Sequence, residues 1–385
     1  MLKAFAKGVV FLENPLCFKN GKFKIMQITD TQEIHNVNSD TVKLISLALD
    51  REKPDLVVFT GDQIKGYSLT FKGDTKRKIT ETLGEIFRPV TERKIPFTAT
   101  FGNHDRDCGI ENKEQIEIYK SFPGFISGAP RCPDDPGTFS LEIKDSKNQK
   151  SVFAIYLIDS NAKDKEKKAY SPVLKEQVEW YKAERDRLSA ENGSYLPSLV
   201  FQHIPVPEIY RAIKQVRKGT KGAVEAFYSH SGEFYTLFDE SLSQGGFMRE
   251  SPAAPDVNNG EFDAMKEKGD VLGIFFGHDH INSFVKKVDG IELGYTQGAG
   301  FNVYGPGKQR GVRVFVLKED SLLHYDNYTV TMSGLCDYRP AKPVTEFFFT
   351  HTPSSVKQVE KGAKKAAVFL AAAAVCAAVI KLSRK

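Results

Sequence analysis

From Phe23 to about Phe349 the chain alternates short runs of β-branched and aromatic residues with longer stretches whose apolar positions recur every three or four residues. Lys24 to Thr29 (KIMQIT) predicts a strand, and Asn38 or Ser39 can cap a helix running to about Lys53 on Val42, Ile45 and Leu49. Leu56 to Thr60 (LVVFT) predicts a second strand, residues 77–93 a second helix and Phe97 to Phe101 (FTATF) a third strand. Further strands are predicted at Val152 to Ile158, Ser198 to Gln202 and Val271 to Phe276, with a helix between about Val173 and Leu188. Asn282 to Val288, Ile291 to Thr296, Val312 to Leu317 and Leu322 to Val330 then follow one another without helices and predict antiparallel pairing.

The strand-helix-strand alternation predicts a parallel sheet with helices packed on it. Joined to the antiparallel half, it gives an α/β architecture: a double β-sheet sandwich flanked by helices. In such sheets ligands gather beyond the carboxyl ends of the strands. Polar groups stand at those ends: Asp30 after the first strand, Asp62 after the second, Asn103-His104-Asp105 after the third, then Asp159, His203 and His278-Asp279-His280. Residues 218–260 break the pattern and are rich in Gly, Pro and Asn. Their place soon after His203 predicts an active-site rim.

The C-terminus follows a different pattern. Ala366 to Ile380 is uncharged and apolar, framed by Lys364-Lys365 and by Lys381, Arg384 and Lys385. Short for a full bilayer span, it can be lengthened by snorkelling lysines. The organisation expected is therefore a catalytic domain over 1–349, a basic linker over 350–365 and a hydrophobic C-terminal helix over 366–382 acting as a transmembrane anchor. The protein would be membrane-associated, its catalytic domain cytosolic. Met1 to Leu12 holds only a four-residue apolar run, too short for a secretory signal, and reads as part of the folded domain.

Charge adds one exclusion. The net charge is +5, but residues 357–385 hold seven Lys or Arg against Glu360 alone, which leaves the body at −1. A nucleic-acid partner is not expected from so neutral a body. The five cysteines lie scattered, with no CxxC spacing, and suit a reducing compartment better than a disulfide framework.

The strand-end groups carry the chemistry. Asp30-Thr-Gln32, Gly61-Asp62, Gly102-Asn103-His104-Asp105, Gln202-His203 and Gly277-His278-Asp279-His280 offer carboxylate, amide and imidazole donors without thiolate, a mixture that suits hard or borderline divalent cations. One such group alone is more often structural. Five groups closing strands that one sheet would align point to a metal site. Gly61, Gly102 and Gly277 would permit the turns that let the flanking side chains converge.

These stretches, ITDTQE, FTGDQI, FGNHD, FQHIPVPE and FFGHDH, resemble the calcineurin-like metallophosphoesterase superfamily, and within it the purple-acid-phosphatase-like branch. The resemblance covers roughly residues 23–318. It implies that Asp30, Gln32, Asp62 and His280 surround one metal, and that Asp62 bridges to a second held also by Asn103, His203 and His278. His104 would stand free of the ions and face the substrate, with Asp105 orienting it as the other catalytic residue. The cofactor implied is a pair of divalent ions, Mn, Fe, Zn or Mg. The activity implied is hydrolysis of phosphate monoesters, on a phosphorylated protein or small molecule, by a metal-activated water. A phosphodiesterase or pyrophosphatase of the same fold, or a weakly catalytic membrane-tethered scaffold, are the alternatives.

The sequence departs from the family at two places. Gln32 stands where many members have His, which would favour oxygen-loving Mn or Mg over Zn at the first site. Lys65 stands where true purple acid phosphatases place a Tyr, so iron-to-phenolate charge transfer is not expected. Arg106 is a candidate phosphate contact, Tyr67 a rim or packing residue, and Cys108 a packed thiol. His35, His230, His324 and His351 read as surface or structural residues.

Overall fold

The computed structural model describes residues 16–128, 132, 135–164 and 169–351. Two sheets face one another. One has five strands, in the order Tyr325–Thr331, Gly311–Lys318, Lys22–Ile28, Leu56–Thr60, Phe97–Thr100. The other has seven, in the order Phe247–Met248, Asn282–Val288, Ile291–Tyr295, Val271–Phe276, Ser198–Gln202, Ser151–Ile158, Phe139–Lys144.

Both faces of the central strands are covered, which is why their sequences read as nearly unbroken apolar runs. Ile25, Leu56 and Val58 point into the space between the sheets, where they meet Phe139, Ile155, Leu199, Phe201, Phe275 and Phe315. Their neighbours Met26, Ile28, Val57 and Phe59 point the other way, onto the helices Ser39–Glu52 and Thr75–Glu92. The seven-stranded sheet buries its outer face, Tyr156, Val200, Ile274 and Phe276, under the helices Lys175–Asn192 and Glu261–Lys266. The layers thus run helix, sheet, sheet, helix, as the expected sandwich requires.

Local signals set the element ends. Asn38 caps the helix Ser39–Glu52 by accepting from the Asp40 N–H, and Lys53 closes it in a left-handed conformation. The four late strands do not pair only with one another. Ile291–Tyr295 lies antiparallel to Asn282–Val288 but parallel to Val271–Phe276, while Gly311–Lys318 crosses to the five-stranded sheet and pairs antiparallel with Lys22–Ile28. Residues 214–236 add a small three-stranded sheet of their own.

Residues 1–15 and the expected basic linker and C-terminal helix, apart from residues 350 and 351, lie outside the described residues. Among the described residues, no helix is long and apolar enough to cross a membrane. The last described helix, Pro343–His351, continues the body past the expected boundary at 349.

Candidate metal centre

The parallel strands of both sheets end on the same side, and their terminal loops interlock through backbone hydrogen bonds. The Asp30 N–H donates to Gly61 O at 3.1 Å, Gln32 N–H to Asp62 O at 2.8 Å, and Gly277 N–H to His203 O at 3.1 Å. Bringing three segments this close leaves no room for a Cβ at any of the three glycines, and at Gly61 it would overlap the Gly102 backbone and the His203 ring. At Gly102 it would overlap the Asp62 carboxylate, and at Gly277 the Thr29 and Asp30 side chains. Only Gly61 of the three glycines has positive φ, at 92°. Close approach, rather than turn freedom, fixes the other two.

Backbone strain concentrates here as well. Asp30, Gln32, Asp62 and His278 all have positive φ, at 51°, 35°, 51° and 73°. Non-glycine residues rarely adopt such values, at roughly 1–3 kcal/mol each, unless the surroundings hold them.

What the strain achieves is convergence. Single ligand atoms of Asp30, Asp62 and His280 lie within 4.8 Å of one another. His280 Nε2 is 3.2 Å and His203 Nε2 3.8 Å from Asp30 Oδ1, and His203 Nε2 is 3.3 Å from Asp62 Oδ2. The rings of His203 and His278 stand 5.1 Å apart. Asn103 lies buried in the adjoining turn, whose His104 N–H donates to Asp62 Oδ1 at 2.8 Å. Gln32 joins the group by its amide nitrogen, which donates to Asp62 Oδ2 at 2.6 Å and lies 3.4 Å from His280 Nε2.

Four buried atoms of this group make no well-formed hydrogen bond: Asn103 Oδ1 and His278 Nε2, together with Asp30 Oδ1 and His203 Nε2, which have only the ion-pair contacts just described. Buried polar atoms are seldom orphaned, since each costs about 1–3 kcal/mol. Two carboxylate or amide oxygens and two imidazole nitrogens facing one another fit a divalent cation centre. The outer nitrogens are already committed: His203 Nδ1 lies 3.0 Å from Thr60 O, and His280 Nδ1 2.9 Å from Tyr304 O. Those partners fix the rings with Nε2 turned inward. Tyr304 also stacks its ring on His280, 4.3 Å away.

The electrostatics follow from the two buried carboxylates. Burial opposes charge on Asp62, but His203 and His104 outweigh it and hold the carboxyl below its usual range. Burial likewise opposes charge on His203, yet Asp62 and Asp30 push it up to about 10. His278 goes the other way, down to about 3, through burial and the neighbouring His203 cation.

His104 stands apart from the cluster of ligand atoms, one third exposed, its Nδ1 2.7 Å from Asp107 Oδ2 and its ring against Tyr67 at 4.7 Å. Burial disfavours its charge, but Asp62 and Asp107 hold its pKa above the usual value. Asp105, expected to orient His104, turns its carboxylate instead to the N–H groups of Asp62 and Gly102 at 2.8 Å and of Ile64 at 3.1 Å, and the carboxylate in contact with the His104 ring is that of Asp107. Asp107, Tyr304 and the Thr60 carbonyl escaped the sequence reading. Only Asp107 left a trace there, as an acid three residues after His104.

The remaining candidates are also placed. Lys65 donates to Asn302 O at 3.2 Å. Arg106 pairs with Asp159 at 2.8 Å, and Cys108 Sγ meets Asp105 O at 3.2 Å. His35 pairs with Glu81 at 2.8 Å, and His230 stacks on Tyr210. A cavity of about 500 Å³ opens over the centre, lined by Gln32, Asp62, His104, His278 and His280 together with Phe227, Tyr228 and Glu250 from the 218–260 excursion.

The family model for calcineurin-like phosphoesterases matches residues 23–282, a span that takes in every one of these loops. The chain belongs to the calcineurin-like phosphoesterase family. It is 28% identical over 334 residues to a protein named probable inactive purple acid phosphatase 14 of Arabidopsis thaliana, covering 77% of this chain and 75% of that one. It is also 28% identical over 333 residues to probable inactive purple acid phosphatase 29 of the same plant, covering 77% of each. Among solved structures, a dimetal phosphatase from Danio rerio aligns over 80% of this chain and 99% of its own, at 13% identity and a TM-score of 0.48.

Proposed function

We propose that this calcineurin-like phosphoesterase hydrolyses phosphate monoesters at a binuclear metal centre. The observation that carries the reading is the convergence of buried carboxylate, amide and imidazole atoms, four of them without a well-formed hydrogen bond, on one point. Asp30, Gln32, Asp62 and His280 would hold one ion, and Asp62, Asn103, His203 and His278 the other. Bound there, a pair of divalent ions, Mn, Fe, Zn or Mg, would neutralise phosphate oxygens and lower the pKa of the attacking water. Asp62 suits a shared position, because a carboxylate offers two oxygens. His104, which lines the cavity and whose pKa is held above its usual value by Asp62 and Asp107 against the effect of burial, would protonate the departing alkoxide. Asp105 serves this site by holding the turns rather than by touching substrate.

The same residues would serve a diester or a pyrophosphate. A weakly catalytic scaffold is the second reading, favoured by one observation: Gln32 turns an N–H, not an oxygen, toward Asp62. Attachment to a membrane through residues 366–382, with the body in the cytosol, belongs to the proposal on the strength of the sequence alone.

Chelated protein resupplied with Mn, Mg, Fe or Zn and assayed on p-nitrophenyl phosphate and its bis-ester tests the activity. Monoester turnover is expected, bis-ester preference moves the assignment to phosphodiesterase, and no turnover with any metal leaves the scaffold. Carbonate extraction of membranes tests the tail, and release of the full-length protein would exclude a spanning anchor.

A further inference from the structure

The cavity over the metal centre is asymmetric in chemistry. On one side of His104 it runs into a larger space of about 860 Å³, lined by Asn103, Arg106, Asp107, Glu111, Asn161 and Lys163, polar groups of both signs. On the other side aromatic rings are added to the lining, Tyr67, Tyr170, Phe227, Tyr228 and Tyr304, beside the acids Glu250 and Asp279. His104, Lys163 and Tyr170 belong to both spaces, so the two meet at the reacting position.

These rings are held by one another and by the candidate ligands. The Tyr170 ring centre lies 4.5 Å from that of His278 and 5.9 Å from that of Tyr228, near perpendicular to both, the Phe227 and Tyr228 ring centres are 6.2 Å apart, and Tyr304 is stacked on His280. Such edge and stacked contacts restrict each ring before any ligand arrives. Tyr228 is also strained, with φ of 51°, a conformation unusual for a bulky side chain and tolerated where something is gained from the placement.

Resting on the phosphoesterase reading above, we infer that the substrate is a phosphate ester whose organic group carries a planar aromatic ring, seated among Tyr170, Phe227 and Tyr228 while its phosphate lies at the centre below. A planar π-face gains from edge and face contacts with these rings, and a saturated ring of the same size does not. Lys163, at the junction of the two spaces, meets the anionic end.

The test separates binding from turnover. Calorimetry with the full-length protein and added Mn²⁺ compares benzylphosphonate with cyclohexylmethylphosphonate, which share the phosphonate and the methylene link and differ in the ring. Benzylphosphonate is expected to bind about tenfold more tightly. In Tyr228→Gly, which keeps the left-handed backbone without strain, the ratio should fall below about threefold, while Tyr228→Phe retains it. Equal affinities in the wild type, or an undiminished ratio in Tyr228→Gly, would overturn the inference. Benzyl and cyclohexylmethyl phosphate, esters of comparable primary alcohols, then give the turnover arm. If neither is hydrolysed with any metal but the tenfold binding difference persists, the catalytic reading falls and the aromatic seat stands.

Discussion

His104 Nδ1 lies 2.7 Å from Asp107 Oδ2, and no comparable contact joins it to Asp105. Asp62 and Asp107 hold the His104 pKa above its ordinary value, so the proton needed by a leaving group is kept to higher pH and lost as pH rises through that raised pKa. Asp107→Asn removes one of the two carboxylates. The alkaline limb of kcat/KM should move to lower pH by about one unit. A limb that stays in place would remove His104 as the proton donor. His104→Ala should slow turnover by roughly 10²–10⁴-fold while retaining both ions on metal analysis.

Asp105 makes the opposite forecast. Its carboxylate satisfies three buried N–H groups in two ligand-bearing turns, and Asp105→Ala leaves them unpaired. The loss should be about 3 kcal/mol or more in denaturant unfolding, with metal content falling alongside activity. Loss of rate with normal stability and full metal content would restore Asp105 to a direct catalytic role.

Gln32 presents an N–H to the carboxylate that would bridge the ions. Gln32→His replaces it with an imidazole, a ligand better suited to zinc. Competition with a chromophoric chelator should show zinc affinity raised by about tenfold or more. Unchanged affinity would mean that position 32 does not ligate.

Glu261 provides a prediction away from the centre. Burial and the neighbouring Glu208 push its carboxyl up to about 8 from an ordinary value of 4.5, so between those values the folded chain holds a proton that the unfolded chain has released. Stability therefore falls as pH rises across this window, by about 1.4 kcal/mol per unit. Glu261→Gln has no such proton, and its advantage in urea unfolding should be absent at pH 4 and grow from pH 5 to pH 8. Parallel profiles for the two proteins would contradict this.

Much of this arrangement is legible in the sequence, because a strand buried on both faces writes itself as an apolar run and the residue that ends the run marks the loop. Leu56–Thr60 and Ser198–Gln202 match their predicted bounds for that reason. Pairing across sheets is not written locally. Nothing within Ile291–Tyr295 records that one neighbour runs parallel and the other antiparallel, nor within Gly311–Lys318 that it joins the other sheet. At the site, residue types announced the convergence, but the division of labour between Asp105 and Asp107 depends on how one short turn, Asp105–Cys108, presents its side chains. Tyr304 contributes through a carbonyl and a ring face, far from any motif, and a backbone acceptor has no signature of its own.

The converging residues divide between the two sheets. Asp30, Gln32, Asp62 and Asn103 follow strands of the five-stranded sheet, whereas His203, His278 and His280 follow strands of the seven-stranded one. Ions drawing on both sets would therefore act as a clasp across the mouth of the sandwich, in register with the apolar layer that joins the sheets lower down. Removing the ions would loosen the loops at the mouth first, while the apolar layer between the sheets keeps the body unfolding as one unit.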